Sequence, residues 1–360
     1  MALTKTFPTG DPAGLPIVDT RRVIGSLIVC DTSGNPRLGV LPRNTSPIVT
    51  ATATLNYAVA AADFVTSRTG AGAELLSNDG TTNALTTAAP ASNARTDVLW
   101  VRPQFTASAD ATNTPVFGVT QGVTSGTVPP PEPAIPAGAL KLATVYFPAG
   151  ATATNSSGVV ITQAAPYTAT SGGVVMFRSL TDLKAWTTAI DGQTAEIFGK
   201  RGIWAWDLSA AKWRPNFPIV GEYTAQVPVL NSGVSTPLAV APTLVPADSS
   251  PDFAGEILTP KIGGWTIGLE GLYRFEARVS STVAGAAQAL NHRAFADVIS
   301  GTRSRRLNIY GAPSEDNVTT ASAQFRLAAG AAVDISNYQI SGAGRTWTLT
   351  WTVTYLGPLA

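Results

Sequence analysis

Side chains able to carry chemistry are scarce in this chain: among 360 residues there is one histidine, His292, and one cysteine, Cys30. Zinc sites draw their ligands largely from those two residue types, so no metal-binding set is expected. His292 has the chemistry of a general base, yet no Gly-x-Ser-x-Gly elbow or other nucleophile signature accompanies it. It reads as a structural or surface histidine. Cys30 ends the apolar run Leu27-Ile28-Val29 and reads as a small buried hydrophobe rather than a reactive thiol. Glycoside hydrolysis requires only two carboxylates. The 23 Asp and Glu, however, fall mostly on the charged side of alternating strands or in turns such as Asp79-Gly80 and Asp191-Gly192, where solvation and turn chemistry account for them. Gly70-Ala-Gly72 and the Gly122 to Gly126 stretch lack the Lys and helix of a phosphate-binding loop. No catalytic, metal-binding or cofactor-binding residue is expected, no cofactor is implied, and the chain reads as a non-enzyme.

Contact chemistry remains. Arg303, Arg305 and Arg306, followed by Tyr310, make the candidate receptor-contact patch, since Arg forks pair with phosphate or carboxylate and aromatic rings pack on sugars. The competing reading is an exposed strand end with solvated charges. Trp204, Trp206 and Trp213 read as core rather than as a ligand platform.

Composition sets the frame around these residues. Hydrophobic residues make up 44% and charged residues 13%, against roughly 25% charged in an average soluble domain. A net charge of +1 with scattered Lys and Arg argues against a nucleic-acid partner. Low charge with many small and β-branched residues suits strands, turns and surfaces buried against copies of the same chain. Eight Trp, eight Tyr and twelve Phe argue against disorder. No secretory leader and no apolar run of about 20 residues are evident, so neither export nor membrane insertion is expected.

The elements that must position these residues are mostly strands. In Thr346 to Tyr355, Trp347, Leu349, Trp351, Val353 and Tyr355 alternate with five threonines, a period of two that predicts a strand. Tyr273 to Val279, Ala321 to Leu327 and Ala331 to Ile335 alternate likewise, which predicts an antiparallel sandwich with one dry face. Val98 to Arg102 and Leu140 to Phe147 read as strands, joined through an extended Pro-rich arm at 128–136. One helix is predicted over 180–190, capped by Ser179 and stopped at Asp191-Gly192. A Trp-bearing hairpin follows, with its loop at Gly199 to Gly202.

Several of these segments resemble known modules. Ala89 to Arg102, the proline run and Pro136 to Gly150 resemble the N-terminal module of minor tail and baseplate proteins of tailed phages of actinobacteria. Phe177 to Trp186 and the hairpin resemble the small neck of such proteins. Gly271 to Gly357 is similar to the tumour-necrosis-factor-like or complement-type jelly rolls that cap phage fibres. The resemblance implies an elongated homotrimer, mainly all-β. It would have an N-terminal β-rich virion-attachment domain (1–150), a helix-plus-hairpin neck (151–220) and an antiparallel jelly-roll head (221–360).

The function so implied is a structural tail-fibre or baseplate protein of the virion, assembled in the host cytoplasm. Its N-terminal domain would meet other tail proteins, and its head would bind a host cell-surface carbohydrate or wall polymer. A capsid decoration or head fibre of the same virion is the alternative. A wall-polysaccharide depolymerase and a cellular adhesin are weaker rivals.

Overall fold

A computed structural model describes residues 4–5, 17–41, 47–68, 72–200, 202–229, 236–237, 240–245, 253, 257–262, 264–281, 291–300, 303–310, 319–340 and 345–358. Along 4–5, 17–19, 226–229, 236–237, 277–281, 291–300, 303–310, 319–321, 323, 335–340 and 345–349 it describes the backbone alone. The chain divides into two compact units, Met1–Trp213 and Arg214–Ala360. The architecture is all-β in the main, with several antiparallel sheets and two helices among the described residues.

The first unit opens with β1 (Thr4–Lys5) and α1 (Ile17–Ser26), then β2 (Gly39–Leu41), β3 (Val49–Ala51), β4 (Asn56–Val59) and β5 (Ala62–Thr66). Next come β6 (Glu74–Asn78), β7 (Thr82–Leu85), β8 (Arg95–Arg102), β9 (Val116–Gln121), β10 (Leu140–Phe147) and β11 (Val160–Gln163). It closes with β12 (Val175–Phe177), α2 (Leu180–Ala185), β13 (Thr194–Ile197), β14 (Ile203–Asp207) and β15 (Lys212–Pro215), whose last two residues belong to the second unit.

Three sheets, ordered β1-β6-β5-β2, β11-β10-β8-β9 and β3-β4-β7, share one core. That core includes Tyr57, Phe64, Leu99, Leu142, Phe147 and Tyr167. Burial along β8 is nearly continuous, the pattern of a strand covered on both faces. The pairing of β10 with β11 crosses residue 150, and bridges from Ile28 to Thr170 and from Val40 to Tyr167 tie the following segment to the chain's beginning. The Pro-rich arm is held by the Thr96 hydroxyl, which donates to the Pro130 carbonyl at 2.8 Å.

A fourth sheet, β12-β13-β14-β15, carries the expected hairpin between β13 and β14. Ser179 caps α2 by accepting from the Asp182 amide, as its spacing predicts. The helix is shorter than the expected 180–190 and ends at Ala185. Trp186 turns to extended backbone there, and its ring packs on Phe177 and Trp213. Its carbonyl accepts from the Trp213 indole at 2.9 Å. Tertiary packing of one large ring outweighs a further helical turn in an element too short to be stable alone. Helix α1, by contrast, has no strong capping pattern in the sequence. Its buried stripe of Arg21, Ile24 and Gly25 follows helical spacing, and Ile28, just past its end, is buried beside it.

In the second unit lie β16 (Ile219–Val229), β17 (Thr236–Pro237), β18 (Thr243–Leu244), β19 (Leu258–Lys261), β20 (Gly264–Ile267) and β21 (Gly271–Ser281). They are followed by β22 (Asn291–Ser300), β23 (Arg303–Tyr310), β24 (Thr319–Leu327), β25 (Ala332–Ile340) and β26 (Arg345–Gly357). Two sheets result, β18-β16-β26-β21-β24 and β19-β20-β25-β22-β23. The antiparallel pairings nest: β16 with β26, β20 with β25, β21 with β24 and β22 with β23. The sheets meet at Trp265 of the second, whose ring lies 5.4 Å from Tyr223 and 5.7 Å from Trp351 of the first. Trp351, Val353 and Tyr355 are buried, while Thr350 and Thr352 on the other face are half-buried. Each buried side chain of that size contributes about 1.5–3 kcal/mol of transfer free energy.

Candidate functional site

The four residues of the candidate contact patch all lie on β23, an edge strand. Alternation along the strand divides them between two faces: Arg303 and Arg305 on one, Arg306 and Tyr310 on the other. Arg305 is in register with Val298 and, through it, with Val333, which is buried. Arg306 is in register with Asp297 and Asp334, and Asp334 pairs with Lys261 at 2.7 Å on a half-exposed surface. His292 lies on β22 opposite Gln339. The side chains of β22 and β23 lie outside the described residues. Cys30 is half-buried and unbridged. Trp204, Trp206 and Trp213 are buried and belong to the core.

A cleft of about 280 Å³ opens in the first unit, and its lining includes Arg37, Tyr167, Phe177, Arg178, Asp182 and Trp186. Local backbone pairing explains how residues so distant in sequence meet. The Val40 amide donates to the Pro166 carbonyl at 2.9 Å, and the Thr168 amide donates to the Val40 carbonyl at 3.0 Å, which fixes Tyr167 between them. Gly39 permits this approach, because a Cβ there would stand 2.5 Å from the Pro166 carbonyl oxygen. On the opposite side, Phe177 ends β12, Arg178 follows it, Asp182 lies on α2 and Trp186 caps that helix.

Both arginines are held by stacking. The Arg37 guanidinium lies 4.1 Å from the Trp186 ring centroid and 5.0 Å from that of Phe177, and its Nε donates to the Tyr167 carbonyl at 2.9 Å. Burial lowers its pKa to about 10, which still leaves it cationic at neutral pH. The Arg178 guanidinium lies 4.7 Å from the Tyr167 ring centroid, and its Nη1 donates to the Ala165 carbonyl. Arg178 Nε, Arg178 Nη2 and the Tyr167 hydroxyl are buried without a hydrogen-bond partner. Two guanidinium groups against the single carboxylate of Asp182 leave the lining one positive charge in excess. Such a lining offers donors and positive charge and contains no nucleophile–base pair.

No family model and no curated protein matches the chain. Among solved structures it is similar to PRD1 vertex protein P5, with 16% identity and a TM-score of 0.28, over 38% of this chain and 96% of that one. A TM-score of this size establishes neither a common fold nor a common role.

The inward-facing ion pairs of the first unit are structural. Arg95 grips Asp97 through Nε at 2.7 Å and Nη2 at 3.1 Å, and the Thr86 hydroxyl donates to the same carboxylate at 2.8 Å. Burial, with the Asp97 charge beside it, raises the pKa of Tyr57. Arg21 Nε lies 3.0 Å from Glu74 Oε1; burial nevertheless lifts the Glu74 carboxyl above its ordinary range. Asp110 takes contacts from Arg68 at 3.0 Å and Arg102 at 3.1 Å. Burial pushes its carboxyl up, but the Phe105 amide and the two arginines outweigh that and hold it below its ordinary value. Among the described residues no group of three or more His, Cys, Asp or Glu gathers, and no helix is long and apolar enough to cross a membrane.

None of the cleft residues carries a site signal in the sequence. Arg37, Tyr167 and Arg178 form no local motif. Their only shared signal is the pairing of β2 with the 166–168 segment, which spacing along the chain does not reveal.

Proposed function

We propose that the chain is a non-enzymatic structural protein of a tailed-phage virion, a tail-fibre or baseplate appendage that works as a homotrimer and binds a cell-surface carbohydrate or wall polymer. The observation that carries this reading is the nested antiparallel pairing of Arg214–Ala360. An eight-stranded hairpin folded over into two sheets is the wrapping of a jelly roll, the head that the sequence of Gly271 to Gly357 resembles. The central strand β26 carries the half-buried Thr350 and Thr352 on the face away from Trp351 and Val353, small uncharged positions suited to contact with another copy. The N-terminal attachment role rests on the resemblance of Ala89 to Arg102 and Pro136 to Gly150.

The reading as a non-enzyme draws its support from the ion-paired carboxylates of the first unit. The buried Glu74 and Asp97 and the half-buried Asp110 are committed to ion pairs, and glycoside cleavage needs two carboxylates free to act on a substrate. Three weak sites on one rigid trimer bind a repeating polymer far more tightly than one site does. On β23, Arg306 and Tyr310 share the face of the half-exposed Asp334 and are the contact candidates of the head.

Gold-labelled antibody against the chain, applied to particles produced from the genome that encodes it, tests the placement. Label at the tail or baseplate is the expected result. Label on the capsid moves the protein to the head of the particle, and unlabelled particles overturn the reading.

A further inference from the structure

We propose that the cleft walled by Tyr167 and Arg178 binds an oxyanion, a carboxylate or a phosphate, carried on a hydroxyl-bearing molecule such as an acidic sugar or a polyol phosphate. The site stands on its own geometry and does not depend on where the protein works.

The decisive group is the Arg178 guanidinium. Its Nη1 is engaged by the Ala165 carbonyl, whereas Nε and Nη2 have no partner. In a planar guanidinium those two N–H bonds project from one edge, the edge that takes both oxygens of a carboxylate or phosphate in parallel hydrogen bonds. Stacking on Tyr167 at 4.7 Å holds the plane in place. Tyr167 is 2% exposed, and its hydroxyl also lacks a partner. Native folds satisfy the large majority of buried polar groups. Three orphan donors on two residues that line one cleft therefore call for acceptors from outside the chain. Arg37 adds a fixed positive charge, its Nε already committed to the Tyr167 carbonyl.

Two further features narrow the ligand. The aromatic faces are occupied, because Arg37 covers Trp186 and Phe177 and Arg178 covers Tyr167; a neutral sugar finds no open ring to stack on. Asp182, exposed and lining the same cleft, repels a bare anion but accepts from hydroxyl groups. The fitting molecule carries its charge and its hydroxyls side by side.

Calorimetric titration of the full-length protein with glucuronate, glycerol 1-phosphate, inorganic phosphate and glucose tests this. Saturable binding of glucuronate or glycerol phosphate with Kd of about 1 mM or tighter is expected, and the stronger of the two identifies carboxylate or phosphate as the group. Inorganic phosphate binds more weakly and glucose does not bind. Tyr167→Phe keeps the melting temperature, since the hydroxyl has no protein partner to lose, yet weakens binding by about tenfold. Arg178→Gln weakens it at least as much. Asp182→Asn leaves the fold intact and strengthens binding of inorganic phosphate. Failure of both charged probes to saturate, glucose binding as tightly as glucuronate, or undiminished affinity in Tyr167→Phe overturns the proposal. None of these results bears on the placement of the protein in a particle, which antibody labelling decides separately.

Discussion

Arg95 and Asp97 stand two positions apart on β8 and so share a face, where both are almost wholly shielded from water. The carboxylate receives two Arg95 nitrogens, the Thr86 hydroxyl and, at 3.4 Å, the Tyr57 hydroxyl, so the pair is fully satisfied inside the core. Removing one partner leaves the other as an uncompensated buried charge. Asp97→Ala is expected to cost about 3–5 kcal/mol, read from urea unfolding monitored by tryptophan fluorescence. Asp110 gives a pH signature instead. Its folded pKa is depressed, so its stabilising contribution is present above the unfolded value of about 3.9 and is lost as pH falls through the folded value. Asp110→Asn should flatten the acid limb of a stability-against-pH curve and lower its neutral plateau. These residues were not legible beforehand. Alternation in sequence assigns charged positions to the wet face, and β8 has no wet face for Asp97.

At the scale of elements, period two located β8, β10, β21, β24 and β26 because their side chains alternate between a buried face and a wetter one, or lie in unbroken apolar runs. The hairpin of β13 and β14 was legible from its glycine-bounded loop. What the pattern hid is instructive. Helix α1 is stabilised by the contact of Ile24 and Ile28 with Val65 and Ala73 and by the Arg21–Glu74 pair, none of which is local. The end of α2 was set by where Trp186 could be buried. The cleft depends on one such non-local junction. Gly39→Ala would drive a methyl group against the Pro166 carbonyl, and a destabilisation of roughly 1–3 kcal/mol is expected. The displaced Tyr167 segment should also weaken any ligand of the cleft, which thermal melts with and without glucuronate would record.

For the whole molecule, two compact units each carry their own large buried aromatic side chains. Fold class was legible because the chain is poor in charge and rich in alternating strands. The division at Trp213/Arg214 was less so. The segment expected as a separate neck pairs with β2 and the start of the chain through main-chain bridges, which composition does not register. We propose that this charge-poor β-protein works as an assembly of three. Multi-angle light scattering of the purified full-length chain at neutral pH tests it directly. A homotrimer gives a particle of about 111 kDa, three times the 37.1 kDa of one chain, persisting on dilution; a stable species of 37.1 kDa would contradict it.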